Sequence, residues 1–163
     1  MTKYQWLFLV QARTDFKVFE LLRRQPDLPA CHSLHYLQMA TELLGKAYAW
    51  KHGPRKKTHI AFVGFLKSLS TNRKAQKQLG FERQNQKWDQ LIRTSVPLAQ
   101  RIQQLAPDLA LDGPNPEYPW PPRAPQITPA EHTFGIWEDL KKAAGRQFLD
   151  LTSRLFIAAE AYL

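Results

Sequence analysis

Residues 128–163, TPAEHTFGIWEDLKKAAGRQFLDLTSRLFIAAEAYL, read as one long amphipathic helix. The first four residues form a start signal: Thr128 at the N-cap, Pro129 at the first helical position, and Glu131 where its side chain can reach back to the cap. Trp137, Leu140, Ala144, Phe148, Leu151, Leu155, Ala158 and Tyr162 then recur at steps of three or four, which aligns them on one apolar stripe. Trp137, Leu151 and Leu155 are therefore expected core residues. Gly145 interrupts the stripe without ending it, as where another helix crosses closely. No alternating strand pattern competes with this periodicity anywhere in the chain, so the predicted fold class is all-α.

Immediately upstream, residues 107–129 hold eight of the twelve prolines, including GPNPEYPWPPRAP. This composition predicts a long extended connection, with Tyr118 and Trp120 available to dock it onto the rest of the molecule. Before it, a helix over roughly 84–105 carries Trp88, Leu91, Ser95, Ala99 and Ile102 on one face, with Pro97 expected to kink or divide it. Helices over roughly 4–24 and 33–51 present Leu9, Ala12, Phe16, Phe19 and Leu22, and Leu37, Ala40, Leu44 and Ala47. Gly53-Pro54 closes the second, and Thr58 reads as the N-cap of a third bearing Phe62, Phe65, Leu66 and Leu69. The expectation is a single domain over 1–163, an antiparallel bundle of about five helices with the proline-rich segment before the last.

A chain of 163 residues, 44% apolar, has enough material for one core. The longest apolar run near its start is WLFLV, residues 6–10, far short of a membrane span or a signal core. With Cys31 as the one cysteine, no internal disulfide forms, and the expectation is a cytoplasmic protein without membrane attachment. No glycine-rich phosphate loop, paired-histidine zinc motif or cysteine cluster appears, so neither a metal nor an organic cofactor is expected. His32 and His35 share a helical face but lack a third ligand nearby in sequence. Cys31 beside His32 lacks an orienting group for thiol chemistry.

Charge is unevenly distributed. Residues 51–106 hold twelve Lys/Arg against two acids, whereas residues 107–163 hold five against eight. A cationic middle third of this kind either faces solvent or draws a phosphate backbone or an acidic partner. Lys51, Arg55, Lys56 and Lys57 stand just ahead of the helix predicted at Thr58, whose free N–H groups favour an anion. Arg73, Lys74 and Lys77 follow at that helix's far end. These seven are the candidate phosphate or nucleic-acid contacts. His59, placed by this reading inside the first turn, is expected to be a packed or capping side chain rather than a phosphate contact.

Four segments in order, ARTDFKVFELL, HYLQMATELLGKAYAWKHG, KKTHIAFVGFL and PEYPW, resemble the higher-eukaryotes-and-prokaryotes nucleotide-binding (HEPN) domain. The family's second-helix pattern, close to QxAxEKxxKA, falls on Gln38, Ala40, Glu42, Lys46 and Ala47, with Leu43 departing from it. The resemblance implies an all-α bundle that dimerises. It implies nucleotide or RNA as ligand, and in many members metal-independent ribonuclease activity as a toxin paired with a nucleotidyltransferase-type antitoxin, or in phage defence. In the family, activity uses an arginine and a histidine with about four to six residues between them. Arg55 and His59 are the nearest pair here, with three residues between them, which leaves open a binding protein, a ribonuclease with an atypical site, or a non-catalytic adaptor. Glu117 and Tyr118, in the family's Tyr-Pro element, are secondary site candidates by the same resemblance.

Overall fold

The computed structural model describes residues 1–50, 59–121 and 126–162, and among them every regular element is helical. The described residues form eight α-helices: α1 (Lys3–Leu22), α2 (Ala30–Ala49), α3 (Ala61–Leu69), α4 (Arg73–Gln78), α5 (Asn85–Gln103), α6 (Pro107–Ala110), α7 (Gly135–Lys141) and α8 (Ala143–Tyr162). The expected five long stretches are recognisable as α1, α2, α3, α5 and α7–α8. The added helices are short pieces within the expected connections.

Local chemistry explains the ends. Thr2 and Gln5 exchange side chain and backbone in a capping box that opens α1. The Asn72 side chain accepts from Ala75 N at 3.0 Å to start α4, and Gly80, at φ 82°, turns the chain out of it. α5 runs through Pro97 as one uninterrupted helix, so the expected division does not occur. The proposed Thr58 cap lies outside the described residues.

The stretch at 128–163 departs most from its periodicity. Thr128 makes no capping bond; Pro129–Glu131 form a single 3-10 turn, His132 is extended, and the helix restarts at Gly135. Trp120, His132 and Phe134 pack as edge-on and tilted rings, with centroids 4.7–6.0 Å apart. Trp120 and Phe134 are buried by this arrangement, which outweighs continuation of the first turn. Of the two aromatics expected to dock the proline segment, Trp120 does so and Tyr118 stays exposed. A second break falls at Lys142, because α7 folds back onto the first turn of α8. A Cβ at Gly145 would lie 2.2 Å from the Asp139 carbonyl, so the close crossing anticipated at this glycine is with the preceding helix. The jog leaves Trp137 half-buried rather than in the core, and Ile136 and Leu140 fill inward.

Elsewhere most of the stripe residues point inward as read, although Leu22, Leu91 and Ala158 are half-buried and Ala144 is exposed. Leu9, Phe19, Leu37, Leu44, Phe62, Phe65, Trp88, Phe148, Leu151 and Leu155 join one buried cluster. α1 packs along α2, α2 against α3, α3 against α5, and α8 against α5 and α7. Polar bonds lock this packing: buried Gln5 Nε2 donates to the Ala47 carbonyl at 3.0 Å, and Trp88 Nε1 to the Leu69 carbonyl at 3.0 Å.

Candidate functional site

Gln38, Glu42 and Lys46 are spaced by four on α2, so one face of the helix carries all three. That face turns inward, and Glu42 is only 6% exposed. A carboxylate so placed is costly unless its oxygens are satisfied. Gln38 Nε2 donates to Oε2 at 2.8 Å, Lys46 Nζ donates to Oε1, and His59 Nδ1 lies 2.7 Å from Oε2. Burial alone would raise the Glu42 pKa; the hydrogen bonds and charges of Lys46 and His59 outweigh it and hold the carboxyl below its ordinary range. The Lys46 ammonium also lies 5.3 Å from the Trp50 ring centroid.

His59 comes from the turn before α3, not from the first turn within it, which corrects the placement expected from a Thr58 cap. Its Nε2 lies 3.0 Å from Asp108 Oδ2 on α6, so the ring bridges a buried carboxylate and an exposed one. Burial opposes charge on the ring, but bonding to Glu42 and then Asp108 raises its pKa above the ordinary histidine value. With its amide oriented to suit its partners, Gln103 at the end of α5 donates to the carbonyls of His59 and Ile60 at 3.2 Å each. Gly45 lets the turn approach α2: a Cβ there would stand 2.4 Å from Phe62 N. Four segments thus converge on one histidine.

The other sequence candidates are scattered. Lys51, Arg55, Lys56 and Lys57 lie outside the described residues, so only the histidine of the Arg55/His59 pair is placed. On α4, Arg73 hydrogen-bonds Gln76 and Asn85, Lys77 pairs with Glu82 at 3.1 Å, and Lys74 has no ion-pair partner among the described residues. Glu117 does not join Glu42 and His59. It lies 3.5 Å from His35 Nδ1, an electrostatic contact rather than a hydrogen bond, about two turns away along α2. Asp15, buried on α1, is raised by desolvation, and its Oδ2 has no hydrogen-bond partner among the described residues. Burial pushes the Cys31 thiol up as well, away from reactivity. Among the described residues, no group of three metal-ligating side chains converges.

Sequence reasoning missed two features. Asp108 carries no local signal, because its role arises from a contact 49 residues away. A groove of about 720 Å³ between α5 and α8 was also missed; it sets Phe81 beside Lys87 and Arg93, with Gln86, Gln90 and Gln147 among its lining side chains. Its one carboxylate, Asp150, is paired with Arg154 at 2.9 Å. Lys87 and Arg93 make no ion pair among the described residues. Comparison with known proteins gave no significant match to any family model, curated protein or solved structure.

Proposed function

We propose that this chain is a HEPN-like antiparallel helical bundle that binds RNA or nucleotide phosphates without cleaving them. The carrying observation is the commitment of both His59 ring nitrogens, one to buried Glu42 and one to Asp108. Metal-independent RNA cleavage needs a group that takes the 2′-hydroxyl proton, and a histidine with both ring nitrogens bonded to carboxylates has no free nitrogen for that step. It suits positioning instead, fixing the turn that leads out of the basic segment. Lys87 and Arg93 supply cations for the backbone, and Phe81 with the neighbouring amides offers stacking and hydrogen bonding to unpaired bases. A homodimer and a nucleotidyltransferase-type antitoxin are the partners that the resemblance implies for such a protein.

A second reading rests on the Asp108 side chain, which is 81% exposed. If a substrate displaced that carboxylate, His59 Nε2 would face the phosphate and the chain would be a ribonuclease. One experiment separates the two. Labelled single-stranded RNA is titrated in EDTA at several salt concentrations, with cleavage followed in parallel. The binding reading expects intact RNA, affinity that falls steeply with salt, and weaker binding by the Lys87→Glu/Arg93→Glu variant. Cleavage that disappears in His59→Ala selects the ribonuclease, and binding unchanged in the double variant removes the RNA groove.

A further inference from the structure

We propose that a second cationic surface, built by α1 with α7 and α8, receives an acidic amphipathic helix from a partner protein. Its centre is an open groove of about 610 Å³ between the second half of α1 and the last turns of α8. Phe16 and Phe156 form the floor, with ring centroids 4.7 Å apart, and both are buried. Leu21 and Ile157 stand at the rims, 65% and 77% exposed, which is unusual for large aliphatic side chains on either side of one trough. A smaller groove of about 300 Å³ continues past Arg24 over Leu140 and Leu149.

The charges around this apolar floor are lopsided. Lys17, Arg23, Arg24 and Arg146 border the two grooves. Glu20 is the one acid lining the two grooves, and its carboxylate is shared between Arg23 at 3.3 Å and Arg24 at 3.7 Å. Lys17 and Arg146 make no ion pair among the described residues. Arg13 and Lys141, also at the edges, are taken up by Glu160 and Glu138.

Shape and charge together select the occupant. The trough follows α1 from Arg13 to Arg24, about 16 Å at the helical rise, which matches a partner helix of three turns. A concave trough suits a rod and not a planar lipid surface. Cations repeated along its length suit a row of carboxylates and not the single head group of a fatty acid. The floor offers no amides for bases, and its aromatic rings are buried, so it lacks the features expected of a nucleic-acid groove. A helix presenting leucines at i, i+4 and i+7, flanked by glutamates, meets both requirements.

A fluorescent, end-capped peptide of about 14 residues with that pattern is the probe, read by anisotropy against the full chain. Saturable binding that weakens with salt is expected, and weakens further, by about tenfold or more, in Lys17→Glu/Arg24→Glu and separately in Ile157→Asp. Both changes lie on exposed side chains, and far-UV circular dichroism checks that each variant stays folded. Lys87→Glu/Arg93→Glu should bind the peptide as the parent does, which separates this surface from the proposed RNA groove. Absence of binding, or binding indifferent to the α1 and α8 variants, overturns the proposal. So does sedimentation showing a dimer that Ile157→Asp dissociates without any peptide binding, because a second copy then covers the trough.

Discussion

His59 shows how a single side chain acquires a role from its surroundings. Its ring bridges Glu42 and Asp108, and the two partners at its core shift in opposite directions: Glu42 below its ordinary 4.5, His59 above its ordinary 6.5. The lowered carboxyl contributes stability that is present above pH 4.5 and lost as pH falls through its folded value. The raised imidazole contributes stability that is complete below pH 6.5 and lost as pH rises through its folded value. Both contributions are therefore in force between those limits. His59→Gln is expected to cost about 1–3 kcal/mol near pH 6, by removing charge-assisted bonds from a buried carboxylate. The gap to the parent should narrow as pH rises above 6.5 through the folded value of the imidazole, because only the parent loses the imidazolium. Urea denaturation across that range checks this, and a gap that stays constant rules the coupling out.

At the scale of the element, Gly45 decides where α3 begins. A methyl group there meets the backbone of Ala61 and Phe62, which cannot turn aside as a flexible side chain would. Gly45→Ala improves helix propensity by about 1 kcal/mol, yet overpacking should leave a net loss of about 1–3 kcal/mol. Equilibrium unfolding measures that loss, and a neutral or stabilised variant would mean that the crossing is looser than described. The interiors of α1, α2, α3, α5 and α8 were legible in the sequence because burial on one side imposes a period of three to four residues. The breaks at 132–134 and Lys142 were not. They depend on Trp120 meeting His132 and Phe134, and on Gly145 meeting Asp139, and neither contact leaves a local pattern. The site divides in the same way. Gln38, Glu42 and Lys46 stood out in the sequence only as positions of a resembling family pattern, and their joining into a site, like the turn position of His59 and its contact with Asp108, required the fold.

Across the whole molecule, averaging charge along the chain drew attention to the middle third and concealed a second group of cations. The trough between α1 and α8 draws its cations from Lys17, Arg23, Arg24 and Arg146, which lie in thirds of the sequence with little or no basic excess. Only folding brings them together. The same reliance on distant partners has a kinetic side. Glu42 meets His59 across 17 residues, and His59 meets Asp108 across 49, so these bonds must wait until long loops have closed. The antiparallel pair α1 and α2 can dock earlier, zipping outward from a connection of only seven residues, 23–29. The histidine junction should then be absent from the rate-limiting barrier, and His59→Gln should speed unfolding while leaving the refolding rate almost unchanged. Stopped-flow chevrons at pH 6 would show this as a displaced unfolding arm alone, and a displaced refolding arm would place the junction in the nucleus. A junction that closes last is also the first to open. Anything that grips it lengthens the lifetime of the folded chain and leaves the speed at which that chain folds as it was.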